Sequence, residues 1–317
     1  MSPDTITMKG IRQGLLVTLG ERDWNARLRV LEARLGANPA FFRGGGKGGA
    51  MKAKVITVTS GKGGVGKTTL TANLGVALAM QGQRVVTIDA DVGLRNLDMM
   101  LGLENRIVYD LVDVIEGRCR LRQALVRDKR LSELFLLPAA QTRDKSAVRP
   151  DDMVRVCESL REQHDFILID SPAGIERGFR YALAPADEIL IVTNPEVAAV
   201  RDADRIIGLI EAEEQGPSWL IINRIKPDMV RHGEMLSIAD VVELLSIDLI
   251  GIVPEDKAIL IAANRGQPLA FSSDSSLAGQ VFHNVARRLR GENVPFMPLC
   301  EPGTLERFFR FVRSGGN

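Results

Sequence analysis

Short apolar runs rich in β-branched residues alternate along this chain with longer amphipathic stretches. The apolar runs lie at 55–59, 84–89, 134–138, 166–170, 188–193, 218–223 and 248–253, and helical periodicity fills the intervals, most clearly at 153–162, 197–211 and 277–289. Continuous apolar runs bounded by turn residues are typical of strands that are buried on both faces. Strands that alternate with helices predict an α/β fold with a doubly wound, mostly parallel sheet and helices on both faces. The ligand site of such a sheet lies at the carboxyl ends of its strands.

Two breaks rich in glycine or proline separate this pattern from the ends of the chain. Residues 44–51 are glycine-rich and predict a flexible linker after a separate N-terminal unit at 1–43. The alternating pattern covers residues 52–290 and predicts one large α/β domain. Residues 291–303 contain several prolines and glycines and predict a second linker, which leads to a short amphipathic segment at 304–314.

Composition excludes several classes of protein. The chain has 317 residues, of which 45% are hydrophobic, and 41 basic residues nearly balance 40 acidic ones. A net charge of +1 provides no global field toward nucleic acid. The three cysteines are far apart without metal-ligand spacing, which favours a reducing cytoplasm. No run approaches the ~20 apolar residues of a membrane-spanning helix, and the N-terminus does not read as a signal peptide.

The loop after the first predicted strand has the pattern of a phosphate-binding loop. Residues 60–69 read SGKGGVGKTT, which fits G-x-x-x-x-G-K-[S/T] between a strand and a helix. Glycines let backbone N–H groups close around phosphate oxygens, and the helix adds the positive end of its dipole. We expect Lys67 to reach the β- and γ-phosphates and Thr68 to bind Mg²⁺, roles that a merely structural glycine turn would not need. The sequence therefore predicts a P-loop NTPase fold with ATP and Mg²⁺ as cofactors, and phosphate contacts from Gly61, Gly63, Gly64, Val65, Gly66, Lys67, Thr68 and Thr69.

Two of the following strands end in aspartates. Asp89 ends the run at 84–89 and Asp91 follows two residues later, which places both on the same side of the strand end. Asp170 ends the run at 166–170 in the form of a Walker B strand, placed to hold Mg²⁺ through a water. Alone, each aspartate could be a turn or helix cap. Beside a phosphate loop they are candidates for the Mg²⁺ site and for positioning water, because phosphoryl transfer needs charge neutralisation and an oriented nucleophile.

The loop also contains a second lysine and resembles the deviant Walker A motif of the MinD/ParA family of ATPases. In that family the lysine that matches Lys62 reaches across a two-fold interface to the other subunit's phosphates, although alone it could be a solvated loop residue. Residues 89–98 and 170–176 are similar to the family's two switch segments. There the position matching Asp91 orients the attacking water, and the position matching Asp89 supports the metal site. The resemblance also implies adenine contacts, from residues that alone are weak turn signals: Asn223, Arg224, Pro254, Glu255 and Asp256.

The C-terminal segment at 304–314 is a candidate membrane anchor. At about 100° per residue its apolar side chains fall in one arc and its arginines in the opposite one. A helix docked on the protein's own core and a helix at a lipid surface fit this pattern about equally. The resemblance favours an anionic membrane surface, since septum-placing members of the family end in such a helix. The segment is shorter than the ~12–15 residues that an isolated helix needs to be stable in water. We therefore expect it to fold on the membrane. The side chains expected to enter the membrane are Leu305, Phe308, Phe309, Phe311 and Val312.

Residues 5–44 resemble the start of the N-terminal domain of the MinC family of division inhibitors. They read as two short strands and an amphipathic helix, an incomplete β-β-α unit whose later strands are missing. A fusion remnant, a start assigned upstream of Met51 and a docking arm remain as alternatives for this unit.

The resemblances together imply a function. We expect a Mg²⁺-dependent ATPase in which Lys62, Lys67 and Asp91 are catalytic and Thr68, Asp89 and Asp170 serve the metal. We expect an ATP-dependent homodimer, peripheral on the inner face of the cell membrane, that positions the division septum by recruiting a MinC-type inhibitor. A MinE-type activator is a further expected partner, and nucleic acid is not. The alternatives are a ParA-type DNA-segregation ATPase and a flagellar-placement relative.

Overall fold

The computed structural model describes residues 52–144 and 147–299. The MinC-like unit predicted at 1–43 and the linker predicted at 44–51 lie outside the described residues. The predicted amphipathic helix at 304–314, with its five membrane residues, also lies outside them.

Eight strands form one sheet. They are β1 (Lys54–Thr59), β2 (Val85–Asp89), β3 (Val126–Arg127), β4 (Leu134–Leu137), β5 (Phe166–Asp170), β6 (Glu188–Thr193), β7 (Ser218–Ile225) and β8 (Asp248–Pro254). The strand order is β3-β4-β2-β5-β1-β6-β7-β8, and every neighbouring pair is parallel except β3 with β4. The predicted doubly wound, mostly parallel sheet is therefore confirmed, and all seven expected strands are present. The chain order reverses at β1, which is where such a sheet binds its ligand.

Eleven α-helices in the described ranges connect these strands. They are α1 (Lys67–Met80), α2 (Leu97–Leu101), α3 (Leu111–Ile115), α4 (Leu121–Ala124), α5 (Pro150–Arg161), α6 (Arg177–Leu183), α7 (Val197–Ala212), α8 (Pro227–Arg231), α9 (Ile238–Leu245), α10 (Lys257–Asn264) and α11 (Leu277–Leu289). Their starts follow local chemistry: Pro150 occupies the first turn of α5, and the Ser276 hydroxyl accepts from the Gly279 N–H at the start of α11. None of the helices in these ranges has the length and apolar character needed to cross a membrane.

The core lies on both faces of the sheet because successive strand side chains point to opposite sides. Ile56 and Val58 of β1 are buried in the layer that contains α1 and α11, whereas Val55 is buried in the opposite layer. Strands β6 and β7 alternate in the same way, so that helices α6, α7 and α9 cover their other face. Full burial of each such side chain contributes about 1.5–3 kcal/mol. The predicted helices on both faces are confirmed.

The structure differs from the sequence prediction in two stretches. Between β2 and β4 the chain forms three short α-helices, a 3₁₀ helix at Glu104–Arg106 and the antiparallel strand β3, which is too short to show a periodicity in the sequence. β7 continues to Ile225, so the expected end at residue 223 is wrong. The ladder with β8 is irregular between Ile222 and Ile225 and then resumes with Ile225 beside Pro254. Residues 223–224 form this bulge and remain part of β7.

The segment after α11 is packed against the domain. The buried Arg288 donates to the carbonyl oxygens of Val294 at 2.9 Å, Pro295 at 2.9 Å and Ile250 of β8 at 2.8 Å. Its guanidinium also stacks on the Phe296 ring, 4.1 Å from the ring centre. Residues 291–299 contain no helix or strand, and these contacts hold residues 294–296 beside β8.

Candidate active site

The phosphate-type loop spans residues 60–66 between the end of β1 and the start of α1. Gly66 has φ of +104°, a left-handed conformation that residues with a side chain rarely adopt, and its carbonyl accepts the Leu70 N–H at 2.9 Å. A Cβ on Gly61 would lie only 2.1 Å from the Asp202 carbonyl oxygen of α7. Glycine is therefore required at both positions: at Gly66 by the backbone conformation, and at Gly61 by the close approach of the α7 backbone.

Lys67, the first residue of α1, bends back over this loop. Its side chain is buried, and Nζ donates to the Ser60 hydroxyl at 2.9 Å, which itself donates to the Lys62 carbonyl at 2.8 Å. Burial lowers the pKa of Lys67, and the charges of Asp170 and Asp91 oppose that shift. A buried ammonium gains from a nearby anion, so the position suits a phosphate group.

The carboxylates of Asp89 and Asp170 lie side by side at the ends of β2 and β5. The two residues are register partners and are 1% and 2% exposed. Burial raises the pKa of both groups, and the charge of Asp89 raises the pKa of Asp170 further. Hydrogen bonds from Thr68 and Thr71 reach the Asp170 carboxylate. Buried carboxylate and hydroxyl oxygens of this kind fit a divalent cation such as Mg²⁺.

The protein contributes only part of a metal ligand set. Within residues 52–144 and 147–299 no group of three or more His, Cys, Asp or Glu side chains could hold a metal ion. Mg²⁺ usually keeps several waters and binds one or two carboxylates together with substrate phosphates. The arrangement around Thr68 and Asp170 is consistent with that mode.

Asp89 also holds the loop that carries Asp91. Its carboxylate accepts the backbone N–H groups of Asp91, Asn96 and Leu97, each at 3.0 Å. The negative charge of Asp91 acts to raise the pKa of Lys67, so the two residues interact electrostatically. Arg95 in the same loop has a φ of 44° and forms an ion pair with the buried Asp98 at 2.9 Å.

The residues predicted to contact adenine come to the same edge of the sheet, at the ends of β7 and β8. Asn223 is buried, and its Nδ2 donates to the Val65 carbonyl of the phosphate-type loop at 2.7 Å. Arg224 is exposed with a φ of 57°, within the bulge. The Asp256 carboxylate caps α10 by accepting the Ala258 N–H at 2.8 Å, and Glu255 is exposed. Asn223 therefore contacts the loop directly, which no local signal in the sequence indicated.

Lys62 lies on the outside of the loop. Its side chain is exposed and forms no ion pair with another described residue. The side chain is consequently available to a group outside the subunit.

Sequence reasoning missed several polar groups around the loop. Ser60 links Lys67 to the loop backbone, and the buried oxygens Thr59 Oγ1 and Asn194 Oδ1 lack a hydrogen-bond partner among the described atoms. Buried polar atoms without a partner are rare in folded proteins, and both are close to strand ends at the ligand edge. Thr59 ends one apolar run and Asn194 directly follows another, and this was the available sequence signal. The edge thus offers more polar contacts than the motif alone implies.

Comparisons with known proteins point to one family. The model of the CobQ/CobB/MinD/ParA nucleotide-binding domain matches residues 56–269. A septum site-determining protein MinD from Synechocystis is 56% identical over 244 residues, which are 77% of this chain and 92% of the relative.

Solved structures are similar in both sequence and fold. In a MinC:MinD cell division protein complex from Aquifex aeolicus, the matching chain is 50% identical with a TM-score of 0.72 and covers 78% of this chain and 99% of its own length. A septum site-determining MinD from Pyrococcus horikoshii, complexed with Mg-ADP, is 29% identical with a TM-score of 0.68 and covers 76% and 100%.

Proposed function

Because the chain belongs to the MinD/ParA family of nucleotide-binding proteins, among its septum site-determining MinD members, we propose that it is a membrane-binding ATPase. In this proposal it hydrolyses ATP with Mg²⁺, dimerises in the ATP state and places the division septum by recruiting a MinC-type inhibitor. The observation that carries the ATPase assignment is the buried Lys67 lying over a glycine loop beside Asp170 and Asp91.

Each of these groups has a part in phosphoryl transfer. Lys67 and the loop N–H groups bind the phosphates and stabilise the charge that develops on them. Thr68 and Asp170 would hold Mg²⁺, which would supply neutralising charge at the phosphates, and Asp89 fixes the neighbouring loop. Asp91 on that loop orients the attacking water.

In this proposal Lys62 makes the contact that joins two copies of the protein. Its exposure on the outside of the loop supports a contact with the phosphates of a second copy. In the ATP state the two copies would place their C-terminal segments on the same side, and the apolar residues at 304–314 would enter an anionic membrane together. Linked sites gain effective concentration, so a pair binds far more tightly than one segment.

The test combines ATP turnover with vesicle sedimentation. We expect the protein to sediment with vesicles that contain phosphatidylglycerol when ATP is present and to remain in solution with ADP. Replacing Phe308 and Phe309 with Asp should abolish sedimentation and leave ATP binding intact. The matched control is Val108→Asp, because Val108 is 77% exposed on the described domain. Equal sedimentation with ADP and ATP would contradict the switch.

The partner assignments have their own measurements. A MinC-type inhibitor should co-sediment with the ATP-bound protein, and a MinE-type factor should raise turnover and release it. Lys62→Ala should lose the ATP-dependent dimer in light scattering and the stimulated turnover. DNA binding with a steep salt dependence would instead favour the ParA-type alternative.

A further inference from the structure

Two loops of the site lead into short helices whose C-terminal ends meet. The Asp91 loop leads into α2, whose first N–H groups are held by Asp89. The loop at 254–256 leads into α10, which starts at the Asp256 cap. α2 ends at Gly102, and α10 is followed by a turn at Gly266.

The ends of these two helices touch through their backbones. Gly102 and Gly266 both have positive φ, 65° and 59°. A Cβ on Gly102 would lie 2.7 Å from the Gly266 carbonyl oxygen, and a Cβ on Gly266 would lie 2.7 Å from the Gly102 Cα. A shift of one helix end therefore displaces the other, because neither backbone has room to move past its neighbour.

One guanidinium joins the two helix ends. Arg130 Nη2 donates to the Leu101 carbonyl at 2.6 Å, and Nη1 donates to the Gly266 carbonyl at 3.1 Å. These carbonyls are at helix C-termini, where the dipole favours a cation. A lysine has one compact ammonium in place of the planar fork and fits a two-sided contact of this kind poorly.

Contacts with Asp128 and Phe271 fix the position of Arg130 itself. Its Nε and Nη2 donate to the two carboxylate oxygens of Asp128, which is 3% exposed, at 3.2 and 2.7 Å. The guanidinium also lies over the Phe271 ring, 4.3 Å from its centre. Burial tends to raise the pKa of Asp128, but hydrogen bonds from Arg130 bring it below its ordinary value. The Arg130 side chain is 34% exposed, and these contacts hold its guanidinium in one position between the two helix ends.

We propose that Arg130 is a positioning residue that couples the base-side loop at 254–256 to the Asp91 loop. The state of the adenine end of the nucleotide is thereby transmitted through α10, Arg130 and α2 to the residue that orients water. The inference rests on the proposed ATPase function and adds a residue that touches neither nucleotide nor metal.

The test is a double-mutant cycle between Arg130→Lys and Asp256→Ala, read as kcat and as the Kd of ATP. We expect Arg130→Lys to lower kcat about 10- to 100-fold, as small misplacements of catalytic groups do. The Kd of ATP should change far less, since none of the hydrogen-bond partners of Arg130 belongs to the phosphate-type loop. Asp256→Ala should lower kcat in the wild-type background and by less than about twofold once Arg130 is replaced. Arg106→Met is the matched control, because the exposed Arg106 donates to the Arg127 carbonyl and bridges no helix ends.

Two outcomes overturn the proposal. One is a cycle in which the two substitutions act independently, with fold-changes that multiply, and the other is a lysine variant with wild-type kcat. Thermal unfolding of each variant shows whether a lowered kcat reflects a loss of folded protein.

A second readout keeps the inference separate from the ATPase assignment. ADP should slow hydrogen exchange of the Leu97–Leu101 amides in the wild type, and this protection should disappear in the lysine variant although ADP still binds. Absence of turnover in the wild type would refute the proposed function alone. Unchanged protection in the lysine variant would refute the coupling alone.

Discussion

The two halves of the proposed ATP site, named here for the part of ATP that each would bind, differ in how deeply their charged groups are buried. The phosphate half, at the ends of β1, β2 and β5, has its charged groups buried: Lys67, Asp89 and Asp170 are 7%, 1% and 2% exposed. The base half, at the ends of β7 and β8, has the exposed residues Arg224 and Glu255 and an irregular ladder. The phosphate half is thus preorganised for charge, whereas the base half has few fixed groups.

The halves are nevertheless in contact through Asn223. This residue belongs to the base half by position, yet its amide donates to the Val65 carbonyl of the phosphate half at 2.7 Å. A substitution at this contact should therefore affect both halves, whereas the exposed side chains of Arg224 and Glu255, which neither cap a helix nor contact Arg130, should have small effects. The following predictions test that difference, starting with the largest effect.

Lys67→Ala should remove most of the activity. Loss of one preorganised charge-stabilising donor lowers kcat by about 100- to 1000-fold, and Lys67 combines that role with a buried charge. Glu255→Ala in the base half should change kcat by no more than about twofold, as exposed substitutions do. Phosphate release at saturating ATP measures both, and equal losses in the two variants would refute the contrast.

Gly66→Ala should disrupt the junction between the halves. A side chain at φ +104° costs about 1–2 kcal/mol, and its Cβ would lie 2.3 Å from Asn223 Nδ2. We expect ATP affinity to fall about tenfold or more, since 1.4 kcal/mol corresponds to tenfold. Adding Asn223→Ala should remove the steric share of that loss, so the double variant should bind ATP more tightly than the product of the two single losses predicts. Calorimetric titration of both single variants and the double variant measures this, and losses that simply multiply would rule out the steric contact.

Asn223→Ala should weaken binding of the triphosphate itself. Loss of its hydrogen bond to the loop is worth about 1 kcal/mol, or about fivefold in Kd. Inorganic tripolyphosphate lacks a base, so its affinity should fall in the same proportion as that of ATP. Arg224→Ala is the control and should leave tripolyphosphate binding unchanged. If Asn223 contacts only adenine, tripolyphosphate binding will not respond.

Asp170→Asn should stabilise the protein without metal or nucleotide, and more so at high pH. Burial raises the pKa of Asp170 in the fold, so the folded state binds more protons than the unfolded chain between the two pKa values. Stability therefore falls as the pH rises through that window, and a neutral amide avoids the loss. Each kcal/mol should appear as a difference of about 2–4 °C in Tm. Thermal unfolding in EDTA at pH 5 and pH 8 measures this, and a difference that does not grow with pH would contradict it.

The sequence was sufficient for the phosphate half because its residues are contiguous or end a strand. The loop at 60–68 follows its strand and begins its helix, and parallel strands bring Asp89 and Asp170 to one edge. The contact between Asn223 and Val65 joins residues 158 positions apart and depends on the bulge in β7. A pairing irregularity of that kind leaves no periodic signal in a single strand.

The Arg130 contacts were unpredictable for a related reason. They join residues 29 and 136 positions away, and in the sequence Arg130 belongs to a charged stretch that resembles a solvated surface. Only the approach of Gly102 to Gly266 places two carbonyl oxygens within reach of one side chain. Contacts between residues from three separate elements have no fixed spacing in the sequence, so no sequence pattern predicts them.

The edges of the sheet limit how copies of this protein can associate. A free edge strand offers unpaired backbone groups on which another chain can add, and this leads to open-ended fibres. At β8, Arg288 occupies the Ile250 carbonyl and holds residues 294–296 alongside, while at the opposite edge β3 spans only Val126–Arg127. Within the described ranges, strand addition is thus opposed at both edges. The proposed dimer would therefore form through surfaces of loops and helices, where a two-fold pair would close on itself and growth would stop at two copies.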